Sequence, residues 1–338
     1  MNRSLQIARE QVNLTRYRPG QRAGHYESFF QRANHPTRSL AFWIRYTLFS
    51  PAGRPGEAIG ELWAIYFDGE RNQHVAVKSE VPFSQCRFSA SAFSVAVAEA
   101  RLDADQLAGS ATSNGHEIAW DLSYHGDAVP LFLLPLRLYR ARLPKAKSLV
   151  GLPFATYDGV LTVDGNSVAV DGWVGSQNHN WGSRHTDHYA WGQVAGFDNH
   201  PDSFLEVATA RLKLGPFWTP PMTPIVLRHH GREIVLNRIR QTLRTKASLR
   251  YFNWSFAAES DDLRITGTIE APRESFVGLR YYNPPGGVKT CLNSKIASCE
   301  VQLTPKGHAG ATETLVTRHR AAFEILTDDS AHGIDIRA

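Results

Sequence analysis

Gly159-Val160-Leu161-Thr162-Val163-Asp164-Gly165-Asn166-Ser167-Val168-Ala169-Val170 reads as two β-rich segments around a tight turn. Asp-Gly tolerates the positive φ that a two-residue hairpin turn demands, so this stretch predicts a β-hairpin. The same grammar extends in both directions. Residues 41–49 alternate around Trp43 and stop at Ser50-Pro51-Ala52-Gly53, and residues 61–67 carry Trp63 and stop at Asp68-Gly69. Residues 204–212, 249–256 and 263–269 repeat the pattern further on. Short strands at this spacing, with few helical stretches, predict an all-β barrel or sandwich. Residues up to about Gly24 read as a polar lead-in with room for one short helix, and the polar tail after Asp328 as loosely held.

Composition narrows the class. The chain has 338 residues, 42% hydrophobic and 20% charged, enough to bury a core without disulfides or metal. Lys and Arg outnumber Asp and Glu by 37 to 32, without a run of like charges. That balance predicts a solvated, mildly basic surface and no nucleic-acid partner; peripheral contact with an anionic membrane is allowed. Cys86, Cys291 and Cys299 match no zinc or redox spacing. No stretch approaches eighteen apolar residues, so no transmembrane segment is expected, and the polar start lacks a secretory apolar core. A cytoplasmic location is the expectation.

The segment from Asn178 to Gln193 concentrates the candidate chemistry. It holds His179, His185 and His188, the indoles of Trp181 and Trp191, the phenol of Tyr189, and Asp187. Tyr189, Trp191 and Gln193 alternate, so on a strand they face one way. Indole, phenol and amide together suit a large apolar ligand with one or two polar atoms. His179, His185 and His188 match no compact zinc spacing, and no metal and no cofactor is expected. Glu27, Glu61 and Glu206 sit among apolar neighbours, where burial raises a carboxyl pKa and equips it to donate a proton near neutrality. Tyr281, near the rigid Pro284-Pro285-Gly286-Gly287 turn, and Asn293 offer a phenol and an amide for a ligand hydroxyl. Phosphate loops, dinucleotide fingerprints and nucleophile elbows are absent from the sequence.

Asn180-Trp181-Gly182, followed by Tyr189-Ala190-Trp191-Gly192-Gln193, resembles the core of the double lipocalin-like superfamily. That group includes carotenoid 1,2-hydratases (hydroxyneurosporene synthases), tocopherol cyclases and related β-barrel cyclases. Gly172-Trp173-Val174-Gly175 ahead of the core is similar too, as are Glu27-Ser28-Phe29-Phe30 and Gly60-Glu61-Leu62-Trp63 near the start. The resemblance implies two lipocalin-like (calycin-type) β units in tandem: a lead-in at 1–23, then domains at 24–172 and 173–338. It implies a pocket between them in which an isoprenoid-like alkene is protonated or folded for ring closure. Aromatic faces and a dry cavity suit a developing carbocation.

One departure bears on the reaction. The hydratases carry His-Asp ahead of the His-Asn-Trp-Gly core, with the Asp as the suspected acid, where this chain has Gln177-Asn178. An amide cannot protonate an alkene, so the donor is another carboxylate (Glu27, Glu61 or Asp187), or hydrogen bonding and shape drive a cyclisation. The expected catalytic set is Glu27, Asn178, His179 and Asp187. The substrate wall is expected from Phe29, Trp43, Trp63, Trp181, Tyr189 and Trp191, with Gln193, Tyr281 and Asn293 reading polar groups. The alternative is a carrier that holds a lipophilic small molecule without turning it over.

Overall fold

The computed structural model describes residues 3–307 and 310–338. Strand makes up 59% of the chain and helix 8%, so the all-β expectation holds. The expected hairpin is the longest in the first sheet, joining Ala146–Val163 to Asn166–Gly182. Asp164 and Gly165 both take positive φ, 48° and 79°, as the mirror-image hairpin turn requires.

Eleven antiparallel strands form the first sheet. Within it His25–Asn34 is flanked by Leu40–Ser50 on one side and Asn166–Gly182 on the other. The edge strand Gln73–Pro82 curls back to the interior strand Gln106–Ser113, where Lys78 N donates to Ser113 Oγ and Thr112 N donates to Ser79 Oγ, each at 3.0 Å. These bonds bring the sheet close to a closed barrel. The second sheet has ten strands; Tyr189–Val194 in its His188–Ala195 strand pairs with the long strand Glu313–Thr327. The chain passes between sheets across residues 183–187, beyond the break expected at 172/173, because Asn166–Gly182 pairs along its whole length inside the first sheet. The Gly175 position lets these strands approach: a Cβ there would lie 1.7 Å from the Arg32 carbonyl oxygen.

Alternation explains where the cavity forms. His25–Asn34, Leu40–Ser50 and Ile59–Asp68 are buried on both faces, almost without exception. Phe29, Phe42, Tyr46 and Leu62 point into the first barrel's core, with Trp120 and Tyr157. Phe30, Trp43, Trp63 and Ile65 point the other way, against Trp191, Leu279, Tyr281 and Leu326 of the second sheet. Two sheets thus pack face to face through a shared apolar layer, while the second keeps its own core around Leu205, Trp254 and Phe323. The lead-in carries a helix, Arg3–Val12. The tail is tied down, contrary to expectation: Gly278 N donates to the Asp335 carbonyl and Arg280 N to that of Ala338. Strand-like backbone pairing beside Val277–Tyr282 holds it despite its polar sequence.

Candidate active site

A cavity of about 370 Å³ lies between the two sheets. Its wall is mostly apolar, including Phe30, Trp43, Leu149, Tyr189, Trp191 and Ala208. The mouth is framed by the short helices Leu136–Arg140 and Ile239–Arg244 and by the loop around Leu143-Pro144. This size suits one small hydrophobic molecule.

Two carboxylates line that wall, Glu206 and Glu324, and Glu206 is the one without a cationic ion-pair partner among the described residues. It is 2% exposed, in the strand Phe204–Arg211, directly across from Gln193. Trp191 Nε1 donates to Glu206 Oε1 and Gln193 Nε2 donates to Oε2, both at 2.8 Å. The Gln193 amide is fixed by its other partners. Its Oε1 accepts from Arg32 Nε at 2.8 Å, and a guanidinium can only donate, so the amide nitrogen must face the carboxyl. Burial pushes Glu206 up to about 7; the hydrogen bonds from Trp191 and Gln193, and the Arg32 charge, oppose that only in part. The result is an acid that carries its proton near neutrality beside an apolar space.

Asn178 lines the cavity and backs this network. Its Oδ1 accepts from Gln193 Nε2 at 2.9 Å, and its Nδ2 donates to Ser176 Oγ at 2.9 Å. The bond from Gln193 to Asn178 Oδ1 helps hold that amide against Glu206. On the other flank of Trp191, Glu324 pairs with Lys295 at 2.7 Å, and Lys295 Nζ lies 5.5 Å from the Trp191 ring centre. Arg45 Nη2 donates to Ser28 Oγ, and its guanidinium lies 4.5 Å from the Tyr281 ring centre. Trp43 Nε1 and Arg45 Nε are buried in this wall without a hydrogen-bond partner among the described residues. Two such donors suit an oxygen on the ligand. His185 also lines the cavity, stacked on Tyr26 at 3.9 Å between ring centres. Burial and the Arg45 charge lower it to about 3, so it is neutral across ordinary pH.

Of the residues singled out in sequence, Trp43, Asn178, Tyr189, Trp191 and Tyr281 line the cavity. Gln193 stands one hydrogen bond behind it, and Asn293 donates to Glu324 at 3.2 Å. Trp63 packs edge-on against Tyr281 in the shared layer. The others lie on a different face. Glu27, Phe29, His179 and Trp181 alternate away from Phe30, Asn178 and Asn180. His179 stacks on Phe29 at 4.2 Å inside the first barrel, and Trp181 packs against Tyr139 and Arg16. Asp187 sits in the connection between sheets, bonded to Arg184 and to Lys213 N.

Glu27 has a structural setting. Its carboxylate accepts from Arg16 N, Tyr17 N, His25 Nε2 and His179 Nε2 at 2.8–3.0 Å. Burial opposes its charge, but the hydrogen bonds from His179 and His25 outweigh it and hold Glu27 down at about 2. It stays ionised and faces away from the cavity, so the proton-donating role expected of it has neither the proton nor the position. Glu61, also weighed as a donor, is buried against Lys78 at 2.7 Å and does not line the cavity. His179, His185 and His188 do not converge on one point, since the first lies in the barrel and the second in the cavity wall. Glu206 was visible in sequence as a carboxylate inside an apolar strand, but Arg45, Glu324 and Lys295 gave no local signal.

No family model matches the chain. An uncharacterized protein of Mycobacterium tuberculosis, found in two strains, is 24% identical over 288 residues, which cover 83% of this chain and 82% of that protein. Kievitone hydratase from Nectria haematococca aligns in structure with a TM-score of 0.57 at 11% identity, covering 90% of this chain and 89% of that one. A Nitrosomonas europaea protein provisionally designated AttH gives 0.53 at 11% identity, covering 90% and 91%. At such identities the likeness concerns the fold alone: two lipocalin-like β units.

Proposed function

We propose that this protein is a cofactor-independent hydratase or cyclase for an isoprenoid-like alkene, with Glu206 as the proton donor. The observation that carries the reading is the carboxyl of Glu206, raised to about 7 and aimed by Trp191 and Gln193 at the wall of an apolar cavity. A general acid works best when its pKa lies near the working pH. The name of the structurally similar kievitone hydratase supports addition of water across a double bond as the reaction class.

The step balances as follows. The neutral Glu206 carboxyl gives its proton to one alkene carbon, leaving positive charge on the other. The Trp191 and Trp43 faces stabilise that charge. Water attacks the cationic carbon in a hydration, or a hydroxyl of the same substrate attacks it in a cyclisation. The attacking oxygen then loses a proton, which returns to Glu206. Trp43 Nε1 and Arg45 Nε hold the polar end of the ligand. Asn178 is a positioning residue here, acting through Gln193.

The test is incubation with a mixed isoprenoid extract in heavy water. Hydration adds the mass of one water and places deuterium on carbon; cyclisation places deuterium on carbon with no added water. Release of one unaltered ligand, with no deuterium on carbon, would instead mark a carrier.

A lipophilic substrate also needs a route in. Leu136, Leu143, Ile239 and Leu243 are 66%, 57%, 47% and 45% exposed around the mouth, with Arg137, Arg140, Arg142, Arg240 and Arg244 among them. No helix among the described residues is long and apolar enough to cross a membrane. Leucines ringed by arginines suit the surface of an anionic bilayer, from which substrate would enter. Cosedimentation with vesicles containing anionic lipid should exceed that with neutral vesicles and fall as salt is raised. Equal binding to both would remove this route.

A further inference from the structure

We propose a zinc site at the far end of the second sheet, formed by His200, His229, His230 and Glu313. Their ligand atoms all lie within 4.8 Å of one another. Glu313 Oε2 lies 2.9 Å from His229 Nε2, and Oε1 lies 3.0 Å from His230 Nε2 and 3.4 Å from His200 Nε2. Donors bonded to zinc at about 2.0–2.2 Å in a tetrahedron stand roughly 3.3 Å apart, so small side-chain adjustments close the shell.

The local backbone builds this convergence. His229 ends the strand Ile225–His229, and the next residue would ordinarily point to the opposite face. His230 instead takes φ 49°, followed by Gly231 at 70°, in a tight turn. That turn swings the two imidazoles together, 3.8 Å between centres. His200 arrives from the 196–203 loop, where Phe197 N and Ser203 N both donate to its carbonyl. Glu313 opens the strand Glu313–Thr327.

His229 supplies a second, independent observation. It is 6% exposed, and its Nε2 lies beside Glu313 yet is not aligned for an N–H···O bond, so it has no hydrogen-bond partner among the described residues. Its Nδ1 lies 2.7 Å from Ser203 Oγ. An Nδ1–H donated to that hydroxyl leaves the Nε2 lone pair pointing into the cluster, as second-shell partners of metal-bound histidines do. Three imidazoles and a carboxylate suit zinc and do not suit magnesium or calcium, which take oxygen donors. Ser203 directly precedes the strand that carries Glu206, but alternation puts Ser203 with Leu205 and Glu206 with the cavity. The metal would therefore tie a loop, a hairpin and a long strand together at a distance from the proposed reaction.

The test uses full-length protein without a histidine tag, stripped with chelator and then dialysed against zinc. Wild type should retain one zinc per chain and melt at a higher temperature with zinc than without. His230→Asn keeps a residue suited to the left-handed turn and removes one ligand. It should fold normally, lose the zinc-dependent rise in melting temperature and bind at least about 100-fold more weakly, since losing a second-shell partner alone costs 10–100-fold. Glu313→Gln should behave alike. Cobalt in place of zinc should give the intense visible bands of a four-coordinate ion. Retention of no more zinc by wild type than by His230→Asn, or weak six-coordinate cobalt bands, would overturn the site.

Discussion

Glu206→Gln should abolish turnover, lowering kcat by about 10²–10⁴-fold, while the ligand still binds. Gln keeps the shape and can still accept from Trp191 Nε1, but it has no proton to give. In the wild type, rate should fall as pH rises through about 7, where the buried carboxyl loses its proton. Stability supplies a readout that needs no substrate. Folding raises this pKa above its ordinary 4.5, so Glu206 favours the folded state fully only below about 4.5, and that contribution is lost as pH rises through about 7. A gap of this size amounts to about 3 kcal/mol at pH 9. Chemical denaturation should therefore find Glu206→Gln gaining on wild type at pH 9 relative to its standing at pH 5. Retained turnover in Glu206→Gln would discard it as the acid.

Glu27→Ala should do the reverse, damaging the fold and sparing the chemistry. Removing one partner of a buried charged cluster costs about 3–5 kcal/mol, because the groups left behind stay buried and uncompensated. Here those groups are the Arg16 and Tyr17 amides, His25 and His179. Folding depresses the Glu27 pKa from 4.5 to about 2, so its stabilisation is present above about 4.5 and disappears as pH falls through about 2. Urea melts at pH 7 should show the loss, and the gap between wild type and variant should narrow in strong acid. Folded protein should turn over substrate at close to the wild-type rate. A stable variant with no activity would move Glu27 back into the reaction.

These opposed expectations for two buried glutamates show what could and could not be read in advance. The Asp164-Gly165 hairpin was legible because turn chemistry is local, and repetition of such strands marked the chain as all-β. Alternation placed Tyr189, Trp191 and Gln193 on one face, where the structure has them around the Glu206 side of the cavity. The same period also divides the preceding segment, sending Asn178 and Asn180 to the cavity and His179 and Trp181 to the barrel side. Reading that segment as one wall overlooked the division. Strand alternation alone could not say which face of His25–Asn34 met a cavity, since both are buried.

An apolar strand marked Glu206 as a candidate, but the surroundings that set it apart lie outside any local window. Its partner Gln193 comes from the neighbouring strand, Arg32 from the other sheet, and the apolar space from both sheets together. Lys295, Glu324 and Arg45 entered the site the same way, through pairing across strands and sheets. The four-residue cluster at His229 joins three separate segments between His200 and Glu313, with no spacing to give it away.

The most direct measurement is an infrared difference titration of wild type against Glu206→Gln, following the C=O stretch of a neutral carboxylic acid. The account predicts that this band is present in wild type at pH 6, absent from the variant, and lost with a midpoint near 7. A carboxylate already ionised at pH 6 would contradict it, because the cavity would then have no proton to deliver.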